Sequence, residues 1–132
     1  MIEKQHKIRK EEKAVLVGLI QKEVTPDQVR EYLDELSFLA ETAGAIAIER
    51  FTQRLPHPDS RTFVGKGKLE EIKQYVASKD IDVVIFDDEL TGSQISNIEK
   101  AQSKIPQKFI VKKQLYSQTS LAKAFHALLK SP

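Results

Sequence analysis

The sequence predicts a single α/β domain, a mainly parallel β-sheet flanked by α-helices. Three observations carry that prediction. Apolar runs of strand length recur at 13–20, 45–51, 81–86 and 109–111. Between them lie amphipathic stretches with apolar residues at helical spacing, opened by residues suited to capping. The resulting order, β-α-β-α-β-α-β, suits right-handed crossovers in a parallel sheet.

Residues 13–20 form an apolar run bounded by charge, the pattern of a strand buried on both faces. Thr25 then caps a helix, with Pro26 where a missing N–H costs nothing and Gln28 completing a capping box. Val29, Tyr32, Leu33, Leu36, Leu39, Ala40 and Ala43 recur at helical spacing, and Gly44 stops the helix. Residues 45–51 are the next strand. The segment 52–60 holds Pro56 and Pro58 and is expected to be an irregular loop, with 61–64 briefly extended. Leu69, Ile72, Tyr75 and Val76 mark a second helix, and residues 81–86 are the clearest buried strand. Thr91 and Gln94 repeat the capping box before a helix with Ile95, Ile98 and Ala101 on its apolar stripe. Pro106 lies beyond it, 109–111 is a last strand, and 120–130 reads as a helix with Leu121, Phe125, Leu128 and Leu129 on one side.

At 132 residues the chain is the size of one ordinary domain. Its 40% apolar and 30% charged residues imply a real core under a solvated surface. A charged lead-in (1–12), an α/β domain (13–111) and a divergent tail (112–132) divide it. No apolar run is long enough to span a membrane, and the N-terminus lacks the apolar region of a signal peptide. Cysteine is absent, which excludes disulfides and thiolate chemistry and fits a cytoplasmic protein. The net charge of +2 does not by itself argue for nucleic acid, so any polyanion binding must come from clustering. The lead-in interleaves Lys4, Lys7, Arg9, Lys10 and Lys13 with Glu3, Glu11 and Glu12, the pattern of a solvated segment.

Gly65, Lys66, Gly67 and Lys68 are the sharpest local feature. Two glycines let backbone N–H groups approach an anion, the following helix directs its positive end there, and two lysines add charge. Arg54 and Arg61 join this basic patch if the intervening loop folds back. The stretch is not a Walker A loop, which needs G-x-x-x-x-G-K-[ST]; here Leu69 follows Lys68. Taken alone, it reads first as a flexible turn with solvated lysines.

Asp87, Asp88 and Glu89 follow the buried strand, where ligands gather in open α/β sheets. They can hold Mg²⁺, although solvating a loop and capping the next helix is the plainer role. Strand alternation places Asp87 and Glu89 on one side and Asp88 on the other. His6, His57 and His126 are scattered, so no firm metal site emerges, and no serine has a nucleophile's context.

Two stretches resemble a known family. One runs from Thr52-Gln53 through Pro56-His57-Pro58-Asp59 to Phe63-Val64-Gly65-Lys66-Gly67-Lys68-Leu69-Glu70-Glu71. The other joins Phe86-Asp87-Asp88-Glu89-Leu90 to Gln94, Asn97, Ile98 and Glu99. In this order they are similar to the signatures of the N-terminal domain of HflX-type ribosome-associated GTPases, and the similarity runs from about Lys13 to Val111. Such proteins bind the large ribosomal subunit and help dissociate or rescue stalled ribosomes. Their N-terminal α/β domain, also credited with ATP binding, precedes a helical linker and a separate G domain. The resemblance implies that Gly65, Lys66, Gly67 and Lys68 contact rRNA or nucleotide phosphate, with Asp87, Asp88 and Glu89 lining the same end of the sheet.

After Val111 the chain departs from the family, which continues with D-R-T-x-L-I-L-D-I-F and the linker. The expectation is therefore a docking module for large-subunit rRNA or protein, with no GTPase activity of its own, no bound GTP and no required cofactor. The alternatives are an ATP-phosphate site with Mg²⁺ near the Asp-Asp-Glu loop, or a truncated remnant without function. The short length fits a stand-alone relative, whose last helix covers the sheet or pairs two chains into a homodimer, and equally a frameshift near Lys112.

Overall fold

The computed structural model describes residues 11–101 and the strand backbone at 108–111 and 114–115. The lead-in up to residue 10, His6, Pro106, His126 and the helix expected at 120–130 lie outside the described residues, as does any dimer contact made through that helix.

Strand β1 spans Glu12–Ile20, and its residues 14–19 are all buried. Its side chains divide between two cores. Ala14 and Leu16 belong to one, and Val15, Val17 and Leu19 to the other. A strand covered on both faces has to be apolar throughout, which explains the unbroken run.

Helix α1, Pro26–Thr42, begins at Thr25 with both halves of the capping box formed. Gln28 N–H donates to the Thr25 hydroxyl at 3.1 Å, and Thr25 N–H donates to the Gln28 side-chain carbonyl at 2.9 Å. A cap of this kind contributes about 1 kcal/mol. The helix buries Val29, Leu33, Leu36 and Ala40 on one stripe. Gly44 follows with φ of 100°, a left-handed turn that suits glycine and delivers the chain into β2, Ala45–Arg54.

Helix α2 spans Lys66–Ser78, β3 spans Val83–Phe86 and α3 spans Gly92–Ala101. Thr91 and Gln94 close the second capping box at 2.9 and 3.1 Å. Strands β4, Lys108–Val111, and β5, Gln114–Leu115, complete the sheet.

The five strands lie in the order β2-β1-β3-β4-β5, with the first four parallel and β5 antiparallel. Helix α1 packs against the core containing Leu16, Val83 and Ile85, whereas α2 and α3 pack against the one containing Val15, Val84 and Phe86. The chain moves one way across the sheet from β1 to β2 and the other way from β2 to β4. Crossovers of a single hand then require the helix to change face at that reversal, as it does here. Among the described residues, no helix is long and apolar enough to cross a membrane.

Three local expectations differ from the structure. Strand β2 runs on to Arg54, because β1 keeps pairing with it as far as Ile20. Residues 61–64 are a tight turn rather than an extended piece. Strand β5 has no counterpart in the sequence reading, since a two-residue strand leaves no periodic signal.

Candidate functional site

The loop from β2 to α2 is built around Asp59 and Phe63. Their backbones exchange two hydrogen bonds of 2.9 Å. The Asp59 carboxylate accepts from the backbone N–H of Arg61 at 2.8 Å and of Thr62 at 3.1 Å. The Arg61 N–H, then that of Thr62, holds the Asp59 carboxyl below its usual range. Phe63 sits at φ of 67°, which costs a bulky residue about 1–3 kcal/mol. Its ring is fully buried and meets Phe86 edge-on at 5.6 Å. Burial of that ring contributes about 1.5–3 kcal/mol and offsets the strain.

Three side chains fasten this loop to its surroundings. Gln94, buried at 6% exposure, donates through Nε2 to the Asp59 carbonyl at 2.7 Å. Asn97 donates through Nδ2 to the Arg61 carbonyl at 3.0 Å. At the other end, Gly65 N–H donates to Gln53 Oε1 at 2.8 Å. A Cβ on Gly65 would come within 2.9 Å of the Gln53 amide, so a larger residue there would make that flexible side chain shift. Gln94 and Asn97 lie in the second signature stretch, and Asp59, Arg61, Gln53 and Gly65 in the first. The two stretches are thus parts of one hydrogen-bonded unit.

Gly65 is the N-cap of α2, and Lys66, Gly67 and Lys68 are its first turn rather than a loop before it. The N–H groups of this turn form the positive end of the helix. Gly67 has neither a positive φ nor a neighbour that a Cβ would touch, so packing within the domain does not require a glycine there. Lys68 turns to Glu71 at 3.1 Å.

A groove of about 570 Å³ opens between the loop, α2 and α3. Its cations are Arg61, Lys66, Lys73 and Lys100, against the carboxylates of Asp59 and Glu70. Asn97, Thr62 and Leu69 complete the lining.

A second cavity, of about 220 Å³, lies at the carboxyl ends of β1 and β3, where the strand order reverses. Leu19, Val24, Val29 and Tyr32 make its apolar wall, and Gln21, Asp87 and Asp88 its polar one. Gln21 Nε2 lies 3.4 Å from Asp88 Oδ2. Because β3 ends at Phe86, strand alternation stops there, and Asp87 and Asp88 face the same cavity. Glu89 is exposed and lines neither cavity.

Of the basic residues singled out in the sequence, the structure brings together Arg61 and Lys66. Arg54 ends β2 exposed and outside both cavities, and Lys68 is engaged by Glu71. Lys73, Lys100 and Asn97 were missed. Lys73 follows Lys66 by two helical turns and so shares its face, a spacing legible in the sequence. Nothing local in the sequence brings Lys100 to that face. His57 is an exposed loop residue. Among the described residues, no three His, Asp or Glu side chains gather as a metal site.

Residues 30–109 match the family model described as GTP-binding GTPase N-terminal. Relatives include GTPase HflX of Flavobacterium psychrophilum, 46% identical over 67% of this chain and 22% of the relative. GTPase HflX of Caldanaerobacter subterraneus subsp. tengcongensis is 45% identical over 70% of this chain and 21% of its own length. For GTPase HflX of Escherichia coli K12 the identity is 37%, over 67% and 20%. The chain thus spans about a fifth of the length of the curated relatives it matches. The crystal structure of SsGBP in complex with GDP superposes with a TM-score of 0.60, over 89% of this chain and 29% of that one, at 20% identity. The C-terminal catalytic domain of ISC1926 TnpA, an IS607-like serine recombinase, gives 0.58 over 88% and 79%, at 18% identity. At such identities the structural likeness is one of fold alone. The sequence matches carry more: this chain belongs to the GTP-binding GTPase N-terminal family, the domain that it shares with HflX GTPases.

Proposed function

We propose that this domain docks on the large ribosomal subunit through rRNA phosphate, in the cytoplasm, and that these 132 residues hydrolyse no GTP. The observation that supports this most is the groove, where four cations from the loop, α2 and α3 face two carboxylates. Lysine and arginine recognise phosphate without reading sequence, which suits a docking surface rather than a catalytic one. A nucleotide site has less support. Its phosphates would sit at Lys66 and its metal near Asp87, yet these residues line separate cavities.

Co-sedimentation with large ribosomal subunits at low and moderate salt tests the proposal. Wild type should pellet in a salt-sensitive manner, and Lys66→Glu/Lys73→Glu should lose about tenfold or more in affinity. A folded wild type that stays in the supernatant at low salt defeats the docking role. A melting temperature raised by ATP-Mg²⁺ would instead favour the nucleotide site.

A further inference from the structure

We infer that the acidic cavity and the flank of α1 beside it bind a basic segment of a partner protein, with an arginine side chain seated in the cavity. The inference is separate from the docking role proposed above, because none of these residues lines the basic groove. Helix α1 buries Val29, Leu33, Leu36 and Ala40 against the sheet, yet Tyr32 is 45% and Phe38 65% exposed. Glu31, Glu35 and Phe38 follow one another at i, i+4 and i+7 and share one exposed stripe, with Tyr32 beside it. Like charges one turn apart weaken a helix, so α1 itself gains nothing from Glu31 and Glu35. Elsewhere on α1 acidic residues are neutralised: Asp27 pairs with Arg30, and Asp34 with Arg50 at 2.7 Å. Among the described residues, neither Glu31 nor Glu35 has a cationic partner.

Tyr32 joins this stripe to the cavity, whose apolar wall it forms with Leu19, Val24 and Val29. Asp87 and Asp88 line the polar side. One Asp88 oxygen accepts from the Glu89 N–H at 2.7 Å, and the other lies 3.4 Å from Gln21 Nε2, too long for a strong bond. An apolar wall, an aromatic ring and adjacent carboxylates complement an arginine side chain. Its methylenes lie along apolar surface, and its guanidinium donates in parallel to carboxylate and stacks on an aromatic face. Lysine offers a point charge without that plane. Carboxylates at Glu31, Glu35, Asp87 and Asp88 repel phosphate, which selects a protein partner over a nucleic acid. Phe38 stands about 9 Å beyond Tyr32 along the helix axis. About three extended residues span that distance, so an apolar side chain three positions from the arginine reaches Phe38.

The test follows amide NMR spectra of the nitrogen-labelled full chain during titration with capped peptides. The probes are Arg-Ser-Ser-Leu, the same peptide with neutral citrulline in place of arginine, and Arg-Ser-Ser-Ser. The first should shift the amides of Gln21, Tyr32 and Asp88 saturably, binding about tenfold tighter than the citrulline peptide. It should also bind about threefold tighter than the peptide without leucine. Asp88→Asn should erase most of the preference for arginine, and Phe38→Ser the preference for leucine, with the remaining amides unmoved as evidence that both variants fold. Equal binding of the citrulline peptide, or no saturable shift from any peptide, overturns the inference. So does spermidine that moves the same amides as strongly, which would make this a site for any polycation. An RNA oligonucleotide that moves them would assign the surface to nucleic acid and overturn it as well.

Discussion

The basic groove and the acidic cavity differ in almost every respect. In open α/β sheets the switch point is the usual ligand crevice, and here it is the smaller, acidic cavity at β1 and β3. The larger, basic groove lies to one side of it, walled by α2, α3 and the loop. The two are also held differently. Gln94, Asn97 and Gln53 tie the groove's loop down at 2.7 to 3.0 Å, whereas in the acidic cavity Gln21 approaches Asp88 at 3.4 Å. The difference teaches that a fold's default crevice need not hold the most elaborated surface, since sites are grafted on folds rather than dictated by them.

Substitutions should separate the two regions by size of effect. Phe63→Ala removes a buried ring from under the groove, and urea unfolding should show a loss of about 3–5 kcal/mol. A smaller effect would mean that the loop collapses over the space left by the ring, since alanine keeps the Cβ and with it the strain at φ of 67°. Gln94→Ala should cost about 1–3 kcal/mol, because it removes half of the α3 capping box and the bond to the Asp59 carbonyl. Asp88→Ala in the acidic cavity should stay within about 0.5 kcal/mol of wild type. Equal losses from these two substitutions would erase the contrast in how the regions are held.

The smallest effect concerns pH. Asp59 is held below its usual range in the folded chain, so the unfolded chain takes up its proton first as pH falls. Its contribution to stability is complete above the ordinary Asp value near ~4 and disappears as pH drops through the lowered one. Urea midpoints measured between pH 6 and pH 3 should therefore fall less steeply in Asp59→Asn than in wild type. Parallel acid limbs would show that the turn does not depend on the charge.

Much of the fold was legible because its signals are local. The buried strands at 13–20 and 81–86, both capping boxes and the stop at Gly44 follow from composition, cap chemistry and glycine conformation within a few residues of each site. The candidate site was legible in part. Gly65 to Lys68 stood out, yet the motif proved to be a cap and first helical turn, with one of its lysines in the groove and the other bound to Glu71.

What sequence could not supply is everything that depends on which face an element packs against. Reversal of the strand order after β2 sends α2 and α3 to the face opposite α1. That places Lys100 across from Lys66 and separates both from Asp87, which lines the other cavity. Cap and strand patterns are set by neighbours along the chain, and sequence carries them directly. The groove is set by neighbours about 30–40 residues apart, such as Gln94 and Asp59, and exists only once the sheet has brought them together.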